Sequence, residues 1–478
     1  APGDRDYADR TAPMGEATTR YIDRTLAAVG AGTHATPIFE ESRALCGAGV
    51  LFLLPSLLAQ GLLKAKEVFR LPATHYYGLE SVVLTLAFMA LARIKNPEQL
   101  KQCKPGEIGR IIGLDRVPEV RCLREKIKTI SGQGRSVHFN NILIDQWYRD
   151  DQQDDAGFLY VDGHVRIYYG YKANLPSKYI AQQKLCLSAT SEFWVNDARG
   201  MPVLMIMGEL TEKLQTVIEH QIIPRLIKAK LISAAIEDQE DPQCTPVFDR
   251  EAYSPAFFQR LWESYRIAVI TYRKNVKDYW EENGFERIDV QVLDHVINMA
   301  LCEQETELGG YRFREIRRLG ASGHQTAIIT THPHLETRQV AGRMFARWSQ
   351  ENFFRYLIED YDFDKMISFG VETIDMEKTM VNPQYRKVTY QIKKLKEKMQ
   401  RVESKFYPLV EQTIDNKLEK MPEITDKQMQ YKLLLDQYSQ EADILVKERE
   451  KLQSRIKLDK MPEEERYNKL KTESKIFM

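Results

Sequence analysis

The chain has few cysteines and no net charge. Its six cysteines, at positions 46, 103, 122, 186, 244 and 302, include no Cys-x-x-Cys pair. Isolated cysteines in a long chain argue against a disulfide framework and a zinc site, and they suit a reducing cytoplasm. Lysine plus arginine equals aspartate plus glutamate at 68 each, so any binding of nucleic acid depends on local basic patches.

Long apolar runs and common catalytic motifs are also scarce. Residues 44–63 lack charged side chains over a membrane-spanning length, but Pro55, Gln60 and three glycines interrupt them. We therefore expect a buried helix pair there and no membrane association. No nucleotide-binding loop, Ser-His-Asp order or redox cysteine motif stands out.

Changes in periodicity divide the chain into four predicted regions. A helical pattern changes to alternating strands and helices, which predicts an α/β fold with a mixed sheet. An acidic linker (149–156) precedes this change, and a β-rich insertion is expected at about 275–325. The regions are a polar arm (1–36), an all-α domain expected to bind DNA (37–150), the α/β domain (155–377) and a helical coiled-coil tail (378–478).

Two basic segments each leave two interpretations open. Residues 106–127 have the outline of a helix–turn–helix, with Arg121 and Arg124 on the second helix. This outline fits a helix laid against DNA or a helical core with a solvated basic face. In the tail, the 4-3 spacing from Val388 to Leu409 predicts a coiled-coil seam, within two antiparallel helices over 386–457. Its basic cluster at 393–401 either contacts phosphates or is a solvated face.

Three carboxylates lie at informative positions. Asp162 lies in FLYVDGHVRIYYG (158–170), where Asp-Gly between two strand-like runs predicts a tight β-hairpin. Asp249 follows a short apolar strand at 246–248, and Glu351 falls on or beside the apolar stripe of one helix predicted over 336–361. Each also has an ordinary explanation, such as a turn carboxylate or a helical ion pair between Arg347 and Glu351.

Together the three carboxylates predict a metal site. Strand ends near the centre of one sheet bring Asp162 and Asp249 side by side, and a helix across them supplies Glu351. Crowded like charges repel one another unless divalent cations bind them. Ligation by carboxylates alone favours Mg²⁺ or Mn²⁺ over zinc. Two such ions about 4 Å apart activate a water or a 3′-hydroxyl in phosphoryl transfer.

Three segments around these carboxylates resemble the catalytic blocks of DDE transposases of bacterial insertion sequences. They are DGHVRIYYG (162–170), VFDREAYS (247–254) and RWSQENFF (347–354). The most similar group is the large one with an RNase H-like core, a β-rich insertion and an Arg-x-x-x-Glu block. The family's tyrosine and lysine of the third block fall at Met344 and Ile358, so the chain resembles a divergent branch.

The resemblance implies a transposase that cuts DNA at transposon ends and joins the 3′ ends to target DNA. Asp162, Asp249 and Glu351 would be both catalytic and metal-binding, holding two Mg²⁺ ions for which Mn²⁺ substitutes. The partners would be double-stranded DNA and a second copy of the chain, in a bacterial cytoplasm. Arg347 would contact a phosphate or a displaced nucleotide near the cut, and Arg250 would orient Asp249 or the DNA. Contacts that position the DNA backbone without reading sequence are expected from Arg312, Arg314, Arg317 and Arg318. Arg121 and Arg124 are the expected DNA contacts of the helix–turn–helix outline.

Two other classes of protein compete with this interpretation. One is a transposase-derived DNA-binding or scaffolding protein that has lost catalysis, and the other is a structural coiled-coil protein with an α/β head. The intact Asp162, Asp249 and Glu351 set favours the enzyme over the first, and the inward Glu351 favours it over the second. Metal-dependent nicking separates the enzyme from both.

Overall fold

The structure is a computed structural model that describes residues 19–42, 45–148, 157–180, 183–208, 212–234, 240–362, 370–414 and 421–478. Within these ranges it describes the backbone, but not the side chains, of 348–351, 411–414 and 421–424. The start of the polar arm (1–18) and the predicted linker (149–156) lie outside the described residues, as do the side chains of Trp348 and Glu351.

Two compact units divide the described chain. The first contains the residues up to Tyr169, together with Pro176–Gly370 and Lys471–Met478. The second contains Gly170–Leu175 and Val371–Leu470. The last eight residues thus belong to the first unit, whereas the sequence pattern placed 378–478 in one tail.

Helices form most of the first unit up to residue 148 and recur later. They are α1 (Tyr21–Ala28), α2 (Leu54–Ala59), α3 (Ala65–Val68), α4 (Leu79–Leu91), α5 (Pro105–Ile111), α6 (Val120–Ser131), α7 (Ser136–Trp147), α8 (Leu214–Val217), α9 (Ile223–Lys228), α10 (Pro255–Tyr265), α11 (Thr337–Ala346), α12 (Trp348–Tyr361), α13 (Pro383–Ile414), α14 (Met421–Glu450) and α15 (Glu473–Phe477). A single π turn, Ile218–Ile222, joins α8 to α9.

The apolar run at 44–63 is less buried than the sequence predicted. It forms a 3-10 helix (Ala48–Leu53) followed by α2, and the Phe52 side chain is 89% exposed. Among the described helices, none by itself is long and apolar enough to cross a membrane. Two segments, Ala48–Ala59 and Leu62–Val68, reach that length and composition only as a pair, and they meet at a bend of 62°.

The centre of the first unit is a ten-stranded mixed sheet. Its strands are β1 (Phe158–Ile167), β2 (Ser177–Ile180), β3 (Leu185–Asn196), β4 (Pro202–Gly208), β5 (Thr245–Phe248), β6 (Ile270–Tyr272), β7 (Glu286–Val292), β8 (His295–Leu308), β9 (Tyr311–Leu319) and β10 (Gln325–Thr330). The order is β2-β3-β1-β5-β6-β10-β9-β8-β7, and β4 also pairs with β3. Strands β1, β5 and β6 are parallel, and the other pairs are antiparallel. The predicted mixed α/β architecture is confirmed.

The predicted hairpin at Asp162-Gly163 is wrong. Both residues lie inside β1, which pairs with β3 without interruption from Tyr160 to Ile167. The favoured two-residue hairpin turns need positive φ at one or both central residues, and neither residue is among those with positive φ. The insertion, in contrast, is rich in strands as predicted, although the sequence pattern did not single out the long strand β8.

The two faces of the sheet bury different helices. One face carries Leu159, Val161 and Phe193, which pack with side chains of α8, α9 and α10. On the other face Tyr160 and Val247 pack in one apolar cluster with Val340 and Met344 of α11. Because side chains alternate along a strand, odd and even positions of β1 face opposite layers.

The second unit contains a helical hairpin and two short strand pairs. Gln428 of α14 donates a hydrogen bond to the Leu409 carbonyl of α13, and the Lys398 ammonium lies over the Tyr438 ring. The contacts pair residue 409 with 428 and residue 398 with 438, so α13 and α14 are antiparallel. Strand β11 (Val371–Thr373) pairs with β14 (Asn468–Leu470), and β12 (Thr379–Val381) pairs with β13 (Arg455–Lys457).

The C-terminal helix α15 is part of the helical region of the first unit. The Phe477 ring meets the fully buried Phe69 edge to face, with 5.1 Å between centroids. The Glu473 carboxylate accepts a hydrogen bond from the Ser136 backbone N–H at 2.7 Å, at the start of α7. Apolar burial and this cap explain why residues 471–478 belong to the first unit.

Candidate active site

The strand register places Asp162 beside Asp249. Parallel strands β1 and β5 pair Tyr160 with Val247, and each aspartate lies two residues further along its own strand direction. Neighbouring strands are about 4.8 Å apart. Tyr160 and Val247 share the α11 face of the sheet, so both carboxylates are directed to that face by the alternation of side chains.

Local hydrogen bonds fix both aspartates. The Asp249 Oδ1 atom accepts a hydrogen bond from the Glu251 backbone N–H at 2.7 Å, and Asp249 caps the short 3-10 helix Arg250–Ala252. The Thr271 hydroxyl donates to the Asp249 carbonyl at 3.0 Å. In β1, Asp162 Oδ1 accepts from the Gly163 N–H at 2.9 Å. These bonds hold the two carboxylates near the carboxyl end of β5, in the centre of the sheet.

A cation from the next layer reaches the first aspartate. Arg347 lies between α11 and α12, and its Nη1 atom is 3.5 Å from Asp162 Oδ2. The sequence pattern predicted one helix over 336–361, but the structure breaks it at Arg347. Proline or glycine usually marks such a break, and neither occurs here. The predicted ion pair between Arg347 and Glu351 stays a prediction, because the Glu351 side chain lies outside the described residues.

The backbone of Glu351 lies between two contacts with β1. Four residues before it, Arg347 approaches Asp162. Three residues after it, the Phe354 ring stacks on His164 with 5.2 Å between centroids. Residues three and four apart lie on one side of a helix, so this side of the first turn of α12 faces Asp162 and His164.

The part of this same sheet face that lies beneath α12 is polar, unlike the part beneath α11. Strand β1 presents Asp162, His164 and Arg166 there, and their register partners on β3 are Trp194, Glu192 and Thr190. Phe353 and Phe354 of α12 meet the Trp194 ring edge to face. The change from apolar to polar begins after Tyr160, which is still buried. Its burial raises the pKa of the phenol, and the nearby Arg343 only partly offsets this rise.

The donor chemistry of this edge fits a hard divalent cation. Asp162 and Asp249 supply carboxylate oxygens, which Mg²⁺ and Mn²⁺ prefer. Arg347 already places a positive charge against Asp162, as expected where two carboxylates are neighbours. Among the side chains that the structure describes, no three His, Cys, Asp or Glu residues group closely enough to hold a metal ion. The side chain of the third predicted ligand, Glu351, lies outside the described residues.

Four of the eight predicted DNA-contacting arginines are exposed, and several of the eight form ion pairs. Arg250 and Arg312 are exposed, and Arg121 and Arg124 are exposed but paired with Glu125 and Glu98. Arg318 lies over the Phe345 ring at 5.0 Å. Arg314 pairs with Glu303 at 2.6 Å and donates to the His332 carbonyl. Their proposed contacts with DNA stay predictions.

Arg317 lies in the interior of the protein, so its prediction as a DNA contact is wrong. Its side chain is fully buried and pairs with Glu315 at 2.6 Å and with Asp278 at 2.5 Å. The guanidinium also lies 4.1 Å from the centroid of the Trp280 ring. Strand alternation explains the difference, because Arg317 points to the opposite face of β9 from Arg314 and Arg318.

Sequence reasoning missed three charged residues near Asp162. Arg166 and Glu192 form an ion pair between β1 and β3, with side chains 3% and 0% exposed. A glutamate within the apolar stretch SEFWV was the available signal. The Glu251 carboxylate lies near Gly163, 3.7 Å from where a Cβ would stand. That position belongs to the sheet face opposite Asp162.

These features define an α/β protein with a large mixed sheet, in which two aspartates lie on adjacent central strands. A protein-family model described as "Transposase protein" matches residues 15–478, nearly the whole chain. The chain therefore belongs to this transposase family, whose members in general cut and join DNA. No curated protein and no solved structure shows significant similarity to it.

Proposed function

We propose that this chain is a DDE-type transposase that cleaves DNA at transposon ends and joins them to target DNA with the help of divalent metal ions. The observation that carries the proposal is the register of β1 and β5, which puts Asp162 beside Asp249. The contacts of Arg347 and Phe354 with β1 support Glu351 as the third carboxylate.

The strand order supports an RNase H-like core. Strands β4, β3 and β1 are antiparallel neighbours, and β1, β5 and β6 are parallel neighbours. In this proposal β7, β8 and β9 are the β-rich insertion, placed between β6 and the helix that bears Glu351. The first aspartate then lies on the central strand and the second at the end of the adjacent one.

The proposed chemistry is two displacements at phosphorus. In the first, a water oxygen attacks the scissile phosphate, the bond to the 3′-oxygen breaks, and that oxygen takes a proton. In the second, the freed 3′-hydroxyl attacks a target phosphodiester, the bond to the target's own 3′-oxygen breaks, and that oxygen takes the proton that the hydroxyl loses. Two Mg²⁺ ions, when bound, lower the pKa of the attacking group and stabilise the leaving oxygen. Asp162, Asp249 and Glu351 would hold the ions.

The chain's own cations have a separate role in this proposal. Arg347, already 3.5 Å from Asp162, would contact the phosphate near the cut, where a planar guanidinium suits two phosphate oxygens. Arg250 follows Asp249 and is exposed, so it would position DNA beside the second carboxylate. Double-stranded DNA is the proposed partner, bound by two copies of the chain that pair two ends.

The helical hairpin of the second unit would serve as a coiled coil. Val388, Ile392 and Leu395 of its predicted seam are buried, as expected where α13 packs on α14. Knobs-into-holes packing between these helices would give the unit its stability. This role is separate from the catalytic proposal and does not decide it.

The test is cleavage of the element's own end DNA with Mg²⁺ or Mn²⁺, for the wild type and two matched glutamate variants. Glu351→Gln is expected to abolish cleavage while DNA binding survives. Glu251→Gln is the control, since Glu251 lies close to Gly163 but on the other side of β1, and it should cut at nearly the wild-type rate.

Two results would contradict the proposal. The first is a wild-type protein that binds the correct ends but cuts with neither metal, which indicates an inactive DNA-binding descendant of a transposase. The second is cleavage that needs Glu251 and not Glu351, which would move the third ligand to a different element of the fold.

A further inference from the structure

A buried ion pair joins the strand of Asp162 to its neighbour. Arg166 of β1 and Glu192 of β3 form this pair, and both side chains are nearly or completely inaccessible to solvent. Glu192 Oε2 also lies 3.5 Å from the indole nitrogen of Trp194, which donates to it. Trp194 is the register partner of Asp162. The pair therefore lies on the same sheet face as Asp162, with Arg166 four residues further along β1.

Stability alone does not explain this pair. Removing two charges from water costs free energy that their attraction often fails to recover, and apolar replacements of a buried pair are frequently as stable or more so. The part of the same face beneath α11 shows the apolar solution, with Tyr160, Val247 and Met344 packed together. Specificity of pairing is the best-attested alternative use of such buried polar groups.

The pairing of β1 with β3 determines which way Asp162 points. A shift of one residue turns every side chain of a strand to the opposite face. For β1 that shift would direct Asp162 into the layer that holds Val161, Phe193 and Val195. Gly163 lies at the centre of β1 and contributes no side chain to resist slippage. The shifted strand would also separate Arg166 from Glu192 and leave both charges buried.

We propose that Arg166 and Glu192 are positioning residues that lock the register of β1 on β3 and so direct Asp162 to the metal-binding face. This inference rests on the proposed function, because its readout is metal-dependent cleavage. Neither residue contacts DNA or metal in it. Their effect passes through the strand that carries Asp162.

The deciding variant replaces both charges with apolar side chains, Arg166→Met with Glu192→Met. We expect it to fold with a melting temperature at or above that of the wild type, but to cut DNA about a hundredfold more slowly, the scale expected for a misplaced catalytic group. The Mg²⁺ concentration for half-maximal cleavage should rise as well. Glu192→Gln, which keeps the shape and loses the charge, should shift that concentration in the same direction.

Two comparisons separate positioning from general stabilisation. The reversed pair, Arg166→Glu with Glu192→Arg, restores the attraction and should recover part of the cleavage rate that the apolar pair loses. Arg314 and Glu303 form another ion pair between neighbouring strands, β9 and β8, far along the same sheet, with side chains 23% and 24% exposed. Glu303→Gln is the control for losing a cross-strand ion pair elsewhere in the sheet and should leave the metal requirement of cleavage unchanged.

The outcomes also distinguish this inference from the proposed function. A folded Met/Met variant that cuts at the wild-type rate with the wild-type metal requirement overturns the register lock and leaves the transposase proposal intact. If that variant fails to fold, Glu192→Gln decides, and an unchanged metal requirement overturns the inference. A wild type that never cuts removes the proposed function, on which the lock depends.

Discussion

The Arg347 guanidinium lies 3.5 Å from the Asp162 carboxylate, with the two side chains only 11% and 20% exposed. Arg347 belongs to the junction of two helices, whereas Asp162 belongs to the strand beneath them. The contact therefore ties the start of α12 to the central strand. It also supplies positive charge beside two neighbouring carboxylates, whose mutual repulsion would otherwise oppose the fold.

Replacing Arg347 should lower the cleavage rate more than the affinity for DNA. A hydrogen bond to a charged group contributes roughly 1.5–3 kcal/mol, or about a ten- to hundredfold change in rate. We expect a loss in that range for Arg347→Gln in single-turnover cleavage. Arg347→Lys keeps the charge without the planar fork and should lose less. Equal losses in both variants would indicate that geometry, not charge, is the contribution.

Divalent metal should stabilise the protein in the absence of DNA. A ligand that binds only the folded state raises its stability by RT ln(1 + [L]/Kd), about 2.7 kcal/mol at a hundredfold excess over Kd. Thermal melts should shift upward on addition of Mn²⁺ or Mg²⁺ and return on chelation. Asp249→Asn should abolish the shift. Without metal, the same variant should melt at or above the wild-type temperature because it removes a repulsion with Asp162.

Arg312 and Arg317 should behave in opposite ways, although they lie on the same strand. Arg317→Met leaves Glu315, also fully buried, without one of its partners, so we expect a loss of about 3–5 kcal/mol in unfolding free energy. Arg312→Gln alters an exposed side chain and should change stability by no more than about 0.5 kcal/mol. If Arg312 contacts phosphate, its replacement lowers the salt slope of DNA binding by about one.

The α13 helix offers a test of the basic cluster in the second unit. It carries eight lysines and arginines against three glutamates, and Lys393, Lys396 and Arg401 are exposed. Neutralising these three to Gln should lower the salt slope of DNA binding by about 0.9 for each DNA phosphate that they neutralise in the wild type. The matched control neutralises Lys427, Lys432 and Lys447, which are exposed on α14. A salt slope that the α13 variant leaves unchanged would mark this helix face as merely solvated charge.

Truncating Phe477 should destabilise the helical region of the first unit. The ring packs on Phe69 in the apolar cluster of α3, α4 and α6. Since Phe477 is only partly buried, we expect its change to Ala to cost about 2 kcal/mol, below the range for a fully buried phenylalanine. Met478→Ala is the control, because Met478 is 45% exposed. Denaturant melts that do not separate the two variants would exclude a structural role for α15.

Short-range patterns predicted several elements of the site. The apolar run before Asp249 became β5, and Ser254 with the following Pro255 began α10 as a side-chain cap and a proline in the first turn. The seam at Val388, Ile392 and Leu395 is buried in a long helix. In both predicted cases, β5 and the seam, residues close in sequence supply the decisive physics, namely periodic burial; the Ser254 cap was found only in the structure.

The errors occurred where distant segments outweighed the local signal. Asp162-Gly163 is typical of a turn, but eight consecutive pairings with β3 keep it extended. Arg317 has the pattern of a surface cation, yet Glu315 and Asp278 satisfy its charge in the interior. Arg166 has the position of an outward residue in an alternating strand, and its ion pair with Glu192 of β3 offsets the cost of its burial.

The sequence by itself determined the residue types available for chemistry and the mixed α/β class, because helical and strand periods are local properties. The sequence led us to expect Asp162 and Asp249 side by side, but the tertiary structure alone decided the register of β1 and β5, the contact of Arg347 with Asp162 and the place of residues 471–478 in the helical region. These relationships depend on strand register and on partners far apart in sequence. The free energy of such contacts exists only once the sheet has formed.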